Sequence, residues 1–277
     1  MDYKKYSGAG NTFLMLNNLD GAIKKHRDTV LELIGIQGND NFDGVIFVEN
    51  SDIADFHMNY YNKDGTGNAL CGNGLRCTAR YIQDNNLSDR KTQAIEAVSK
   101  IYRSDILEDG NISISFPPPN FIKPGFNLRV QFTEWWQTLR VHFADVGSPH
   151  IVVYIKDIKQ PLIQNLYEVN INDWGRNIRM HKDLMPDGAN VNFVQLISYE
   201  NSELEIRSYE RGVEGETLAC GTGAISTAII SYMVYDIKPP VKILTKSREY
   251  LTVDFSDENG EIRNLTLAGR ATLMDNQ

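Results

Sequence analysis

Short segments in which apolar and polar residues alternate run through the whole chain and predict β-strands. They lie at residues 13–16, 45–48, 56–61, 101–107 and 112–116, and again at 139–146, 151–155, 192–197, 204–209, 241–245 and 251–255. The turn sequence at residues 108–111 joins two of them as a hairpin. The pattern therefore predicts hairpin-rich β structure with few helices.

One helical stripe occurs at residues 21–34, where four aliphatic side chains fall on the same side. Asp20 stands where it can cap this helix, and His26 within it is expected to be solvated. The segment predicts an ordinary surface helix.

Two further helices are predicted at ALCGNGLRC (residues 69–77) and ACGTGAIST (residues 219–227), where a cysteine precedes Gly-x-Gly. The helix after Cys220 is apolar almost all round, so we expect other structure to enclose it. A tyrosine precedes each cysteine by ten or eleven residues, and loops of Gly-Ala-x-Asn type occur at 8–13 and 188–193. These similarities predict an internal repeat.

The 277 residues suffice for two domains, and the triple proline at 117–119 is the best linker. We expect an α+β fold of two pseudo-symmetric domains, each a curved mixed or antiparallel barrel-like sheet around a central helix. The N-terminal domain is expected at 1–119, completed by a C-terminal strand at 264–277, and the C-terminal domain at 120–263. The active site is expected in the cleft between them.

The charge balance argues against nucleic acid as a partner. There are 28 basic and 36 acidic residues, a formal net charge of -8, and no basic stripe that would attract a phosphate backbone. No leader-like segment opens the chain, and the longest nearly apolar stretch, residues 224–234, is too short to span a bilayer. We therefore expect a soluble cytoplasmic protein without a membrane partner.

Cys71 and Cys220 carry the candidate chemistry. At a helix start, a thiol faces main-chain N–H groups without an intrahelical partner, and the helix dipole favours the thiolate. A thiolate and a thiol on opposite sides of a bound molecule can remove a proton from a carbon and return one to the other face. The pair therefore predicts inversion of a stereocentre, with fixed dipoles stabilising the carbanion and no cofactor required.

Other sites fit these glycine-rich stretches less well. The dinucleotide spacing G-x-G-x-x-G is absent, and no Gly-Lys-Ser/Thr of a P-loop follows. The three cysteines lack the spacing of a zinc site or a disulfide framework, so no metal is expected. Cys77 is interpreted as a core residue.

The order of longer motifs adds a resemblance. SGAGNTF, YYNKDGTGNALCGNGLRC, VGSPHIV, DGANVNFV and YERGVEGETLACGTGA follow one another nearly end to end, and with them the chain resembles the cofactor-independent diaminopimelate epimerases. The resemblance implies inversion of LL-diaminopimelate to the meso form, for lysine and peptidoglycan precursors, without pyridoxal phosphate. The implied partner is a small amino acid substrate, and a homodimer is the assembly to test.

The resemblance also implies roles for particular residues. Cys71 and Cys220 correspond to the two catalytic thiols. The segments that bind the carboxylate at the reacting centre correspond to Gly72, Asn73, Gly221 and Thr222. The groups that hold the distal amino acid end of the substrate correspond to Asn11, Asn62, Asn190, Glu210 and Arg211. His150 matches a histidine near the first thiol, and Ser148 supports it.

The chain departs from the family pattern at several of these motifs. Thr12 stands where many members have aspartate, and Ser148 stands where many have the longer asparagine, which weakens its contact to the distal group. Gly44 occupies a position where some members carry a glutamine contact, so no role is assigned to it. The loop at 213–215 is one residue longer than in the shorter family version and is expected to shift Glu216 and Thr217.

Three rival functions remain open at this point. A proline or hydroxyproline racemase would use the same two thiols but needs no distal amino acid site, so Arg211 and the asparagine set count against it. A thiol redox protein would form a reversible disulfide between Cys71 and Cys220. A non-catalytic amino acid binding protein would show no exchange of the substrate α-proton for solvent deuterium.

Overall fold

The computed structural model describes residues 1–67, 70–133 and 135–274 and divides into two compact units. Unit 1 comprises Met1–Phe116 and the chain from Ala268 onward, and unit 2 comprises Pro117–Leu267. The division falls at the start of the triple proline. Residues 275–277 of the strand expected at 264–277 lie outside the described residues. Within those residues, no helix combines the length and the apolar composition that a membrane crossing requires.

Unit 1 is a mixed sheet that curves around one helix. Its strands are β1 (Lys4–Gly8), β2 (Asn11–Asn17), β3 (Gly44–Glu49), β4 (Phe56–Asn62), β5 (Thr92–Ala97), β6 (Lys100–Ile106) and β7 (Ile112–Ser115), with helices α1 (His26–Ile34) and α2 (Gly72–Asp84). The pairs β2–β3 and β4–β5 are parallel, whereas β1–β2, β3–β4, β5–β6 and β6–β7 are antiparallel. Helix α2 contacts all seven of these strands, and most of its residues are buried.

Unit 2 repeats this plan with additional elements. Its strands are β8 (Phe121–Gln131), β9 (Trp136–Asp145), β10 (Pro149–Tyr154), β11 (Asn190–Ser198), β12 (Glu203–Glu210), β13 (Gly215–Thr217), β14 (Val241–Leu244), β15 (Tyr250–Glu258) and β16 (Glu261–Gly269), with helices α3 (Ile171–Arg179) and α4 (Gly221–Tyr235). Short 3-10 turns lie at Ile155–Asp157, Leu166–Glu168 and Lys182–Leu184. Helix α4 contacts β8 to β11, β14 and β15, so its enclosure, expected from its apolar sequence, is confirmed.

The internal repeat is visible in the strand pairing. From β1 to β6 the pairs are antiparallel, parallel, antiparallel, parallel and antiparallel, and β9, β10, β11, β12, β14 and β15 pair in the same sequence. The helix that begins after Cys71 in unit 1, or after Cys220 in unit 2, lies between the fourth and fifth strands of this series. The predicted fold of two similar barrel-like sheets around central helices is therefore confirmed. A last strand, β17 (Thr272–Leu273), returns to pair antiparallel with β1.

The two Gly-Ala-x-Asn type loops are not counterparts in this repeat, so that part of the prediction is wrong. The first closes the hairpin between β1 and β2, whereas the second leads into β11, which corresponds to β3. Asn190 pairs with His150 as Gly44 pairs with Phe13, and Asn190 is therefore the counterpart of Gly44. The loops look alike because each turns through a glycine with positive φ before a strand begins.

The predicted helix at 21–34 begins later than expected. Asp20 does not cap it; its carboxylate accepts from the Ala22 N–H at 3.0 Å, and Gly21 has a φ of 64°. This local turn takes the chain out of helical geometry, and α1 starts at His26 without a side-chain cap.

His26 is also not merely solvated. Its Nε2 lies 2.8 Å from Glu49 Oε1, and its ring stacks on Tyr61 with the centroids 5.8 Å apart. The histidine thus attaches α1 to strands β3 and β4.

Strand β8 and helix α3 of unit 2 escape prediction from periodicity. Strand β8 contains Pro124 and Gly125, and its register with β9 shifts between Lys123 and Phe126, which interrupts the alternation. Helix α3 is short and contains Gly175, which lowers its helical signal. That glycine allows close packing, because a Cβ there would lie 2.6 Å from Tyr209 Cβ.

Candidate functional site

Cys71 is the N-cap residue of α2. Its backbone is extended, with φ -127° and ψ 106°, and its Sγ accepts from the Gly74 N–H at 3.3 Å. The first turn lies tight against β3, since a Cβ on Gly74 would be 3.1 Å from Ile46 Cδ1. Gly72 and Asn73 are the first residues of the helix, so their main-chain N–H groups have no intrahelical partner.

Asn11 and Asn73, two predicted binding residues of unit 1, are joined in one hydrogen-bond chain. The Asn73 amide donates to Asn11 Oδ1, and the Arg76 guanidinium donates to Asn73 Oδ1 at 2.6 Å. Asn11 Nδ2 in turn donates to Asp43 Oδ2 at 3.3 Å, and the Thr12 N–H donates to the same oxygen at 2.8 Å. The orientation of the Asn11 amide is therefore set from both ends.

Sequence reasoning missed two members of this chain. Arg76 is fully buried, and a charged residue between the apolar Leu75 and Cys77 was the available signal. Asp43 gave no such signal because only the tertiary fold brings it to the start of β2.

Asn62 lies at the end of β4, where its side chain is held by its own strand and turn. The Tyr60 hydroxyl donates to Asn62 Oδ1 at 2.8 Å, and Asn62 Nδ2 donates to Thr66 Oγ1 at 3.0 Å. These bonds orient the amide, and its contact with a substrate stays a prediction.

Cys220 is the N-cap residue of α4 and is buried. Burial raises the pKa of its thiol well above the ordinary value, and the negative charge of Glu210 raises it further. The Gly223 N–H and the Thr222 hydroxyl favour the thiolate but do not reverse this direction. The expectation that the helix start lowers the thiol pKa is thus wrong for Cys220, because desolvation and a neighbouring carboxylate outweigh the helix dipole.

His150 is buried and uncharged. Burial, with a smaller contribution from the charge of Arg211, lowers its pKa to about 3. The Asn192 amide nitrogen donates both to the Ile151 carbonyl, at 3.3 Å, and to His150 Nδ1, at 3.1 Å. Since a carbonyl can only accept, the amide orientation is defined, Nδ1 is the acceptor, and Nε2 carries the hydrogen.

The Nε2 side of His150 faces two hydroxyl groups. Thr222 Oγ1 and Ser148 Oγ each lie 2.9 Å from Nε2, and the two hydroxyl oxygens are 3.3 Å apart. Thr222 Oγ1 is also 3.7 Å from Cys220 Sγ. The imidazole therefore orients the hydroxyl at the start of α4, and it does not act as a base near neutral pH.

Asn190 connects β11 to the start of the loop after β12. Its Nδ2 donates to the Pro149 carbonyl at 3.2 Å, and its Oδ1 accepts from the Arg211 N–H at 2.8 Å. The Arg211 side chain is exposed, and its Nη1 lies 3.4 Å from the Asp187 carbonyl oxygen. A guanidinium in this setting can bind a carboxylate.

The longer loop at 213–215 is anchored at both ends. Glu214 accepts from Arg179 Nε at 2.9 Å, and β13 pairs with β12 so that Glu216 faces Tyr209. The Thr217 hydroxyl donates to Glu210 Oε1 and so orients the carboxylate beside Cys220. Strand pairing thus decides where Glu216 and Thr217 lie.

The predicted site residues form two groups, one in each unit. Unit 1 holds Asn11, Asn62, Cys71, Gly72 and Asn73, and unit 2 holds Ser148, His150, Asn190, Glu210, Arg211, Cys220, Gly221 and Thr222. In the described part of the chain, no three His, Cys, Asp or Glu side chains cluster as ligands for a metal ion. Asn11 contacts the first turn of α2 through Asn73, and His150 contacts the first turn of α4 through Thr222.

Comparison with known proteins shows which family the chain resembles. A family model described as diaminopimelate epimerase matches residues 3–121 and 142–273. A diaminopimelate epimerase from Aquifex aeolicus (strain VF5) is 34% identical over 274 residues, which span 95% of this chain and 92% of the relative.

Two solved structures share the fold. A phenazine biosynthesis protein of the PhzF family from Bacillus anthracis superimposes with a TM-score of 0.73 at 16% identity, covering 99% of this chain and 96% of its own. A probable proline racemase from Agrobacterium radiobacter K84 gives 0.70 at 12% identity, covering 98% and 90%. At these identities the likeness concerns the fold alone, and it supports the predicted fold class.

Proposed function

Because the chain belongs to the diaminopimelate epimerase family, we propose that Cys71 and Cys220 invert one stereocentre of diaminopimelate by transferring protons on opposite faces of the α-carbon. One observation carries the proposal: each thiol is the N-cap of the central helix of its unit, at the same place in the repeated strand order. The proposal thereby assigns the isomerase reaction of the family to two named side chains. The mechanism requires both helix starts to reach one substrate.

The proton balance assigns a starting state to each thiol. Cys220 carries its hydrogen in the free protein, because burial and Glu210 disfavour its thiolate. Cys71 then starts as the base for the stereoisomer whose C–H bond faces it. The C–H bond breaks, an S–H bond forms on Cys71, and Cys220 releases its proton to the opposite face of the carbon. The reverse reaction exchanges the two roles, and no other proton is gained or lost.

The intermediate carbanion shares its charge with the adjacent carboxylate, and main-chain N–H groups stabilise it. Gly72 and Asn73 begin α2, and Gly221 and Thr222 begin α4, so both first turns present donors to an anion. Such preorganised donors act on developing charge without having to reorganise. The reaction therefore needs no electron-accepting cofactor in this proposal.

The distal end of diaminopimelate is a second amino acid group and needs both acceptors and donors. We assign Arg211 to the carboxylate of this distal group. The side-chain amides of Asn11 and Asn62 are assigned to further hydrogen bonds with the same group. Asn190 holds the Arg211 main chain, and its role is to position that residue. Ser148 contacts His150 and Thr222, so we assign it to the reacting carboxylate, and we assign Glu210 to Cys220.

Single substitutions of the two cysteines test the proposal. We expect Cys71→Ala and Cys220→Ala each to lower the rate of LL to meso conversion by at least about a hundredfold, since one acid and one base are required together. Cys77→Ala is the matched control, because Cys77 is fully buried within α2, away from its first turn. The assay follows the appearance of meso-diaminopimelate from the LL isomer by chiral separation in D2O without pyridoxal phosphate, and it records the solvent deuterium at the α-carbon. Full activity in either variant would refute the two-thiol mechanism.

The same assay separates the rival functions. A proline racemase would exchange the α-proton of proline and not that of diaminopimelate, whereas a redox or binding protein would exchange neither. The cytoplasm as compartment and a homodimer as assembly stay part of the proposal, and light scattering measures the latter.

A further inference from the structure

Gly44, to which the sequence assigned no role, leaves no room for a side chain. A Cβ there would lie 2.2 Å from the Tyr61 carbonyl oxygen, 2.6 Å from Tyr60 Cε2 and 3.2 Å from the Tyr60 hydroxyl. The space in front of residue 44 is therefore filled by the ring of Tyr60, which also meets Phe13 edge to face at 5.8 Å between centroids.

Tyr60 points to the side of the sheet on which α2 begins. Side chains alternate along a strand, so Met58, Tyr60 and Asn62 share one face of β4. Met58 identifies that face, because its Sδ and the Cys71 Cβ both lie within 3.5 Å of where a Cβ on Gly74 would be. Tyr60 and Asn62 continue this face toward the end of the strand, and both are half-buried.

We propose that the Tyr60 hydroxyl is a specificity-determining contact for the distal amino group of the substrate, in the place that a side chain at residue 44 would otherwise occupy. The inference rests on the proposed function and adds to it a residue to which the motif at residues 60–77 assigned no role. The hydroxyl donates its hydrogen to Asn62 Oδ1 at 2.8 Å, which directs the oxygen as an acceptor. An ammonium group is a donor only, so a phenol oxygen oriented in this way matches it and does not match a carboxylate.

The hydrogen-bond chain behind Tyr60 strengthens this role. Asn62 Nδ2 donates to Thr66 Oγ1, and the Thr66 hydroxyl donates to the carboxylate of Asp64. A group that donates a hydrogen bond becomes a better acceptor at its own oxygen. The negative charge of Asp64 therefore polarises Thr66, Asn62 and the Tyr60 hydroxyl in turn. The cationic group of the substrate is thus recognised without a carboxylate in direct contact.

Tyr60→Phe tests the proposal, because it removes the hydroxyl and keeps the ring that fills the space at Gly44. We expect KM for diaminopimelate to rise about tenfold, the cost of one hydrogen bond to a charged group, with kcat within about threefold of the parent. Tyr61→Phe is the matched control: Tyr61 is the next residue of β4, its ring stacks on His26, and its side chain lies on the other face. We expect KM to be unchanged in the control.

A second measurement distinguishes a contact with the amino group from a structural effect. 2-Aminopimelate keeps both carboxylates of the substrate but lacks the distal amino group, and its inhibition constant is measured against diaminopimelate turnover. We expect this constant to be the same for the parent and for Tyr60→Phe. An unchanged KM, or an equal loss for both compounds, would overturn the assignment of Tyr60. A parent protein that fails to epimerise diaminopimelate would refute the proposed function instead.

Discussion

Glu49 makes a prediction about acid stability that can be worked out from the structure. Glu49 lies at the end of β3, and its side chain is only 16% exposed. Burial alone would raise its pKa, but hydrogen bonds from His57, His26, Asn59 and Asn18 together lower it to about 2. The ionised form is therefore strongly favoured in the folded state.

The magnitude follows from the difference between the folded and ordinary pKa values. A decrease from 4.5 to about 2 corresponds to about 3 kcal/mol of folding free energy. Because the folded pKa is the lower one, this stability is fully present above pH 4.5. It is lost as the pH falls toward 2, when the carboxyl group becomes protonated.

Glu49→Gln removes the titration and keeps the shape of the side chain. We expect the variant to be less stable than the parent at pH 7, and the difference to shrink by about 2 kcal/mol between pH 7 and pH 3. Urea unfolding followed by far-UV circular dichroism at several pH values measures it. Tryptophan fluorescence is unsuitable, since all three tryptophans lie in unit 2 and Glu49 lies in unit 1.

Glu258→Gln provides the control, because Glu258 is 53% exposed in a surface pair with Arg263. We expect that variant to follow the parent at every pH. A stability difference for Glu49→Gln that stays constant from pH 7 to pH 3 would refute the reasoning, since it would show that Glu49 has the same pKa in the folded and unfolded chain.

Two predictions concern the α4 half of the site. Glu210→Gln removes a negative charge beside Cys220, so we expect the pKa of the thiol to fall. The rate of Cys220 alkylation as a function of pH, in a Cys71→Ala background, measures this pKa. An unchanged pH profile would contradict the assignment. Gly223→Ala places a Cβ 2.4 Å from Asn192 Oδ1 and should displace the amide from His150, lowering kcat/KM at least about tenfold. Gly215→Ala, where a Cβ meets no atom within 4 Å, should leave kcat/KM unchanged.

Much of the fold follows from local features of the sequence. Alternation predicted the strands because one face of each is buried, for most of them against α2 or α4, and the apolar surface of α4 predicted its enclosure. The apolar positions that follow the two Cys-Gly-x-Gly segments predicted the helices that begin there. These signals depend only on neighbouring residues, so a single chain suffices to detect them.

Local signals failed where distant segments impose the structure. Asp20 looked like a helix cap but closes a turn, and Pro124 and Gly125 hid a strand that β9 holds in register. The Gly-Ala-x-Asn loops looked equivalent because their turns need the same glycine conformation. Only strand pairing reveals that Asn190 corresponds to Gly44.

The sequence by itself determined the repeat, the two helix-capping thiols and the family that they indicate. The tertiary structure alone decided how each group is charged and oriented. Burial and Glu210 keep the proton on Cys220, and Asn192 selects the tautomer of His150. Gly44, which has no Cβ, leaves space for the ring of Tyr60. The physical reason is that a pKa, a tautomer or a filled space depends on atoms within a few ångströms, and those atoms come from segments far apart in the chain.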